Sequence, residues 1–252
     1  MNITKFNFYK GKVVINCLAK DLDNAKEVLA AAEGHLAVGL LSTRHPTVAE
    51  NVAEVRSFQK EIPLVSVGLG GGSPKQWSMA AEIASETDPG HVNQVFPAAG
   101  YTLGLLKGKG CVHTVVNALI SPTAVRGKVK INTGVYSSDL EDAVDIDTAL
   151  LMMKDIGLNS VKFFNMKGLK YLDALRDVAE ACVKYEIDMV EPTGGITPEN
   201  VGEIVAVCFS AGVPHVMPHV YSSIIDPVDG RTQPNAVSQI LETVKAEVDK
   251  VV

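Results

Sequence analysis

The chain has 252 residues, 46% of them hydrophobic, and 23 Lys and Arg against 29 Asp and Glu give a formal net charge of −6. That length can bury one large core without disulfide staples, and an acidic balance with no basic run argues against a nucleic-acid surface. The N-terminus lacks an apolar signal-like run and no stretch of about 18 apolar residues occurs, so the expectation is a cytoplasmic protein that does not enter a membrane. Cys17, Cys111, Cys182 and Cys208 share no CxxC spacing and read as reduced core thiols.

In chain order, short β-branched runs alternate with alanine-rich helical segments. Strands are predicted at 13–18, 36–41, 64–67, 92–96, 112–119, 160–164, 189–191 and 215–220. Helical periodicity follows most of them, at 21–32, 47–59, 76–85, 146–156, 169–184, 198–211 and 234–251. Strands alternating with helices predict a parallel sheet. Eight of them, with eight connections, fit a single (β/α)8 TIM-barrel domain spanning residues 1–252. An open doubly wound sheet satisfies the same periodicity. Lys128 to Ser137 reads as an inserted strand or hairpin within residues 122–143, capping one face or meeting a neighbouring subunit, although it could instead be the true fifth strand.

Two stretches carry chemistry. Lys162 interrupts the apolar run Val161 to Phe164, where its charge must leave water or be neutralised. Desolvation lowers a lysine pKa, and a neutral amine is the form that attacks a ketone to make a Schiff base. About thirty residues later comes Pro192-Thr193-Gly194-Gly195-Ile196-Thr197-Pro198-Glu199-Asn200. Thr197 suits an N-cap and Pro198 the first helical position. The two glycines would then lie where free N–H groups and the helix dipole cradle a phosphate, or else form only a tight turn.

These two motifs, in this order and about one βα unit apart, resemble the 2-keto-3-deoxy-6-phosphogluconate/4-hydroxy-2-oxoglutarate aldolases. Close similarity covers residues 157–201, and the whole chain is similar to the divergent branch of that family acting in D-glucosaminate degradation. The resemblance implies a class I, Schiff-base (β/α)8 enzyme with no cofactor and no metal, in which Lys162 is the nucleophile and Thr193 the active-site threonine. It also implies substrate-binding roles for Gly194 and Gly195, for Arg44 at the end of the second strand, and for Ser222 and Ser223 in the eighth loop. The partner implied is a small phosphorylated keto acid, and the expected assembly is a homo-oligomer.

One departure matters. The family carries its acid/base glutamate on the second strand, in a Leu-Glu-Val-Thr-Leu-Arg-Thr pattern, and Leu36 to Arg44 contains no carboxylate. Strand alternation puts Ser160, Lys162 and Phe164 on one face, and Met189, Glu191 and Thr193 on the inner face of the next strand. Glu191 is therefore expected beside Lys162 as the relocated proton carrier, with a structural ion-pair role as the alternative.

Three further features stand open. Gly68 to Ser73 is read as a substrate loop, since its spacing fits no dinucleotide fingerprint. Arg44 is a substrate-anion ligand or a surface arginine. His215 and His219 share a strand face but sit about 13 Å apart, too far to bind one metal together, and a satisfied barrel histidine is the plainer reading of either. The competing functions are a Schiff-base aldolase, a barrel isomerase, epimerase or metal-assisted aldolase, and a noncatalytic phosphosugar-binding module.

Overall fold

The computed structural model describes residues 2–252. Among the described residues, eleven strands and eight α-helices alternate through most of the sequence. The first half runs β1 (Ile15–Leu18), α1 (Leu22–Ala31), β2 (Leu36–Leu41), α2 (Val48–Phe58), β3 (Val65–Gly68), α3 (Trp77–Thr87), β4 (Gly90–Val92), α4 (Phe96–Gly108), β5 (Val115–Val116) and β6 (Ala118–Pro122). The second half runs β7 (Lys128–Lys130), β8 (Val144–Asp145), α5 (Ile146–Ile156), β9 (Ser160–Phe163), α6 (Leu172–Lys184), β10 (Met189–Pro192), α7 (Val201–Ala211), β11 (His215–Val216) and α8 (Pro234–Val248).

Strands β1 to β5 form a parallel sheet in sequence order. The second sheet has the order β11-β10-β9-β6-β7-β8, parallel as far as β6 and antiparallel beyond it. The fold is thus α/β with parallel sheets. Hydrogen bonds cross both gaps between the sheets. On one side the backbones of Val13 and Val216, and of Asn16 and His219, make parallel bridges. On the other, Val95 bridges Leu119, and Asn117 alone separates β5 from β6.

Side-chain alternation divides the apolar residues into two sets. One face of the strands, including Val161 and Phe163 on β9, packs against helical residues such as Leu175, Val178 and Cys182. The other face begins, at the N-terminal ends of the strands, with a separate cluster of Val14, Ala37, Leu64, Val115, Met189 and Met217, closed by Phe6. Above this floor the same face turns polar, with Asn16, Ser66, His91, Asn117, Ser160, Glu191 and His219 all buried.

Several elements differ from the sequence reading. Residues 92–96 were expected as a strand, but β4 ends at Val92 and Phe96 starts α4, a helix the sequence reading does not contain. Gly100, Gly104 and Gly108 lower helix propensity there. Gly100 also has a packing reason, because a Cβ on it would lie 3.0 Å from Ile156 of α5. The inserted segment is an antiparallel extension of β6 rather than the fifth strand: Ser121 pairs with Lys130, and Val129 with Val144. Helix α7 begins at Val201, not at Pro198. Asn200 folds back instead, accepting from Thr197 N at 2.8 Å and donating to Gly195 O at 2.9 Å, so residues 197–200 form a turn. At α2 the capping box is present, with Thr47 and Glu50 serving each other.

Candidate active site

The C-terminal ends of the strands surround a cavity of about 380 Å³ whose wall includes Asn93, Lys162, Thr193, Gly194, Gly195 and Tyr221. Lys162 rises into it from the middle of β9 and is only 7% exposed. Burial pulls its ammonium pKa down to about 8, partly offset by the attraction of Glu191. Its Nζ donates to Asn93 Oδ1 at 2.8 Å and lies 3.2 Å from His219 Nδ1.

Glu191 is the register partner of Lys162 and faces inward beside it, as alternation requires. Its carboxylate, however, is fully buried and forms no part of the cavity wall. Oε1 accepts from the Ser160 hydroxyl and lies 3.1 Å from His91 Nε2, while Oε2 accepts from Asn117 Nδ2 at 2.7 Å and lies 2.8 Å from His219 Nε2. Burial alone would raise this carboxyl, but the pull of His91 and the hydrogen bonds from His219 and His91 outweigh it, holding the pKa well below the usual carboxylate range. Glu191, expected beside Lys162 as the relocated proton carrier, does lie in register with it, but His219 stands between the carboxylate and the amine.

His219 and Tyr221 come from the segment after β11 and share the inner face with Glu191's strand. His219 Nδ1 is 2.8 Å from the Tyr221 hydroxyl, which is itself 2.9 Å from Asn16 Oδ1. Burial and the neighbouring Lys162 charge lower the His219 pKa to about 3 despite its contact with Glu191, so the ring is neutral. The polar column continues downward, with His91 Nδ1 at 2.8 Å from Ser66 Oγ. The plain reading of His219 as a satisfied interior histidine leaves out its contact with Lys162. The useful signal was period two: His91 with Asn93, and His219 with Tyr221, each put two polar groups on one strand face.

At the Thr193-Gly194-Gly195 turn, the amides of Gly194, Gly195 and Ile196 find no acceptor among the described residues. Both glycines have positive φ, 103° and 70°. A Cβ on Gly195 would overlap Gly168 N, so the turn needs glycine for close packing as well as for backbone conformation. Ser222 lines the cavity, whereas Ser223 Oγ donates to Ile196 O at 2.7 Å and supports the same turn from outside. Gly70, Gly71 and Gly72 form part of the opposite wall.

Arg44 lies away from these residues. Its guanidinium forks onto Glu54 at 2.6 and 2.8 Å and donates to the carbonyls of Ala19 and Lys20, tying the β1–α1 turn to α2. The cavity wall does not include it. His215 is likewise remote, its Nδ1 2.9 Å from Gly11 O. No group of three or more His, Cys, Asp and Glu side chains among the described residues is arranged to hold a metal ion, and no helix of the described residues is long and apolar enough to cross a membrane.

A buried amine at the mouth of a parallel α/β sheet narrows the choice of family, and comparison decides it. The family model described as KDGP aldolase matches residues 9–228. The chain belongs to the KDGP aldolase family. Within it, the 2-dehydro-3-deoxy-phosphogluconate aldolase of Salmonella typhimurium (strain 14028s / SGSC 2262) is 48% identical over 245 residues, covering 97% of this chain and 99% of that protein. Among solved structures, a thiamine phosphate pyrophosphorylase from Pyrococcus furiosus superposes with TM-score 0.56 at 14% identity, covering 96% of this chain and 98% of that one. A mutant tryptophan synthase α-subunit from the same organism gives 0.57 at 12%, covering 94% and 98%. At such identities these two relate this KDGP aldolase family member to TIM-barrel-like neighbours by fold alone.

Proposed function

We propose that this chain is a class I aldolase that cleaves 2-dehydro-3-deoxy-6-phosphogluconate, or a related 4-hydroxy-2-oxo acid, to pyruvate and glyceraldehyde 3-phosphate. The observation that carries the reading is Lys162: a buried amine in a cavity, with its pKa lowered to about 8. Near neutrality a useful fraction is the free amine, which attacks the C2 carbonyl, and loss of water gives a protonated imine. That iminium draws in the electrons of the C3–C4 bond as the C4 hydroxyl loses its proton. The aldehyde leaves, the enamine is protonated at C3, and hydrolysis returns pyruvate and the free lysine.

The acceptor-free amides of Gly194, Gly195 and Ile196 support a phosphate site, with Thr193 and Ser222 as neighbouring hydroxyls. The N-terminus of α7 adds less than the sequence reading assigned it, because the helix starts at Val201. We read the two sheets as one closed (β/α)8 barrel, with β5 and β6 counted as a single strand. The bridges from Val13 to Val216 and from Val95 to Leu119 support that reading, as does a cavity at the C-terminal strand ends.

The test is borohydride reduction in the presence of pyruvate followed by peptide mass analysis. A reduced pyruvate adduct on Lys162 is expected. Turnover with no adduct on Lys162 would replace the Schiff-base reading with a metal-assisted or isomerase mechanism, and binding without turnover would point to a noncatalytic module.

A further inference from the structure

We propose that His219 is the catalytic residue that carries the proton during carbon–carbon cleavage, and that Glu191 acts through it as a positioning residue. The inference rests on the Lys162 imine chemistry above and assigns a role that the missing second-strand glutamate leaves vacant.

The titratable side chains on the cavity wall are Lys162, His219 and Tyr221. Lys162 is committed to the imine. The Tyr221 phenol is held well above its ordinary pKa by burial and by the Glu191 charge, so it remains protonated and serves as a donor. That leaves His219, whose Nδ1 lies 3.2 Å from Lys162 Nζ, within reach of the carbons that an imine would place one to three bonds beyond that nitrogen.

The tautomer follows from the partners. A carboxylate only accepts, so the 2.8 Å contact between His219 Nε2 and Glu191 Oε2 puts the proton on Nε2. Nδ1 therefore presents its lone pair to the cavity, the form a base must have. Asn117 and Ser160 hold the same carboxylate from other directions, which fixes its plane and thereby the ring.

The proton and the electrons balance without another reactant. Nδ1 takes the proton of the C4 hydroxyl, the O–H pair left on oxygen forms the second bond of the aldehyde carbonyl, and the C3–C4 pair becomes the C2=C3 bond of the enamine. Electrons of the iminium C=N bond return to nitrogen. The positive charge on nitrogen disappears in the same step in which His219 becomes an imidazolium. The like charge that depresses the ring's basicity is thus removed as the ring takes up its proton, and Glu191 remains to stabilise the cation. The imidazolium then delivers its proton to C3, restoring the neutral ring.

The test separates imine formation from proton transfer. Pyruvate alone is incubated with enzyme in D2O, and loss of its C3 proton signal is followed by NMR beside borohydride trapping. His219→Gln is expected to keep the Lys162 adduct while cleavage and C3 exchange fall by about 10²–10⁴-fold. Exchange within a few-fold of wild type would overturn the proposal. Absence of the adduct in wild-type enzyme would instead overturn the Schiff-base reading. If His219→Gln fails to trap pyruvate, Glu191→Gln decides. Its amide can donate to Nε2 and shift the ring proton to Nδ1, so exchange should fall by a similar factor with trapping and melting temperature retained. Exchange within a few-fold of wild type in Glu191→Gln would likewise overturn the proposal.

Discussion

Asn93 Oδ1 accepts a hydrogen bond from Lys162 Nζ at 2.8 Å, so the closest oxygen to the reactive amine is neutral. A carboxylate at that position would favour the ammonium and oppose the desolvation that frees the amine. Asn93→Asp is therefore expected to raise the Lys162 pKa by about one unit or more. The rising limb of the trapping rate against pH should move upward to match. An unmoved limb would show that the contact does not govern the amine.

In the wild type, the direction of that limb follows from the lowered lysine pKa. Below about 8 the amine is mostly protonated and the rate of imine formation should climb with pH; above it the rate should level off. Stability has the same sign. The folded chain releases this proton near 8 and the unfolded chain only near ~10.4, so Lys162 contributes increasing stability as pH rises between the two values. Initial trapping rates across pH 6 to 10, beside denaturant melts over the same range, check both statements.

Lys162→Arg keeps a cation but removes the nucleophilic amine, since a guanidinium stays charged throughout the working range. Cleavage and trapping should both vanish while the circular dichroism spectrum is unchanged. Retained turnover would remove Lys162 from the mechanism.

Gly195→Ala puts a methyl group against the backbone of Gly168 at a residue with φ of 70°. Steric overlap and left-handed strain together should cost about 2–4 kcal/mol. Denaturant melts measure this directly, and the loss in kcat/KM should be larger for a phosphorylated substrate than for its unphosphorylated analogue. A loss under 0.5 kcal/mol would mean that residues 165–168 give way easily.

Arg44→Ala should show a stability loss on the order of 1 kcal/mol, because the Glu54 pair is partly exposed and the two carbonyl bonds are modest. KM should stay within about twofold, since the guanidinium is spent between α2 and the β1–α1 turn. A tenfold rise in KM with unchanged stability would return Arg44 to substrate binding.

Period-two alternation was enough to bring Lys162, Glu191 and Thr193 to one face, because register between β9 and β10 depends on local pattern. It could not show that His219, far along the chain, lies between two of them. That fact depends on how the β11 segment meets β1, through bridges such as Asn16 with His219, and no local periodicity encodes a long-range meeting. The Arg44 expectation failed to place the side chain for a similar reason: its partner Glu54 is on α2, and either role looks alike on a strand end. Helix α4 was hidden by its three glycines, of which Gly100 serves contact with α5 rather than helix propensity.

The candidate site draws Lys162, Glu191 and Thr193 from one sheet, and Ser66, His91 and Asn93 from the strands or strand ends of the other. Its geometry is therefore a property of the two junctions, near Val13–Val216 and Val95–Leu119, more than of either half. A slight parting at the Val95–Leu119 junction leaves every helix and most of each sheet intact, yet separates the Lys162 amine from the Asn93 amide and Glu191 from His91. Catalysis in this chain should consequently be the first casualty of heating, with activity fading at temperatures where far-ultraviolet spectra still report a folded protein.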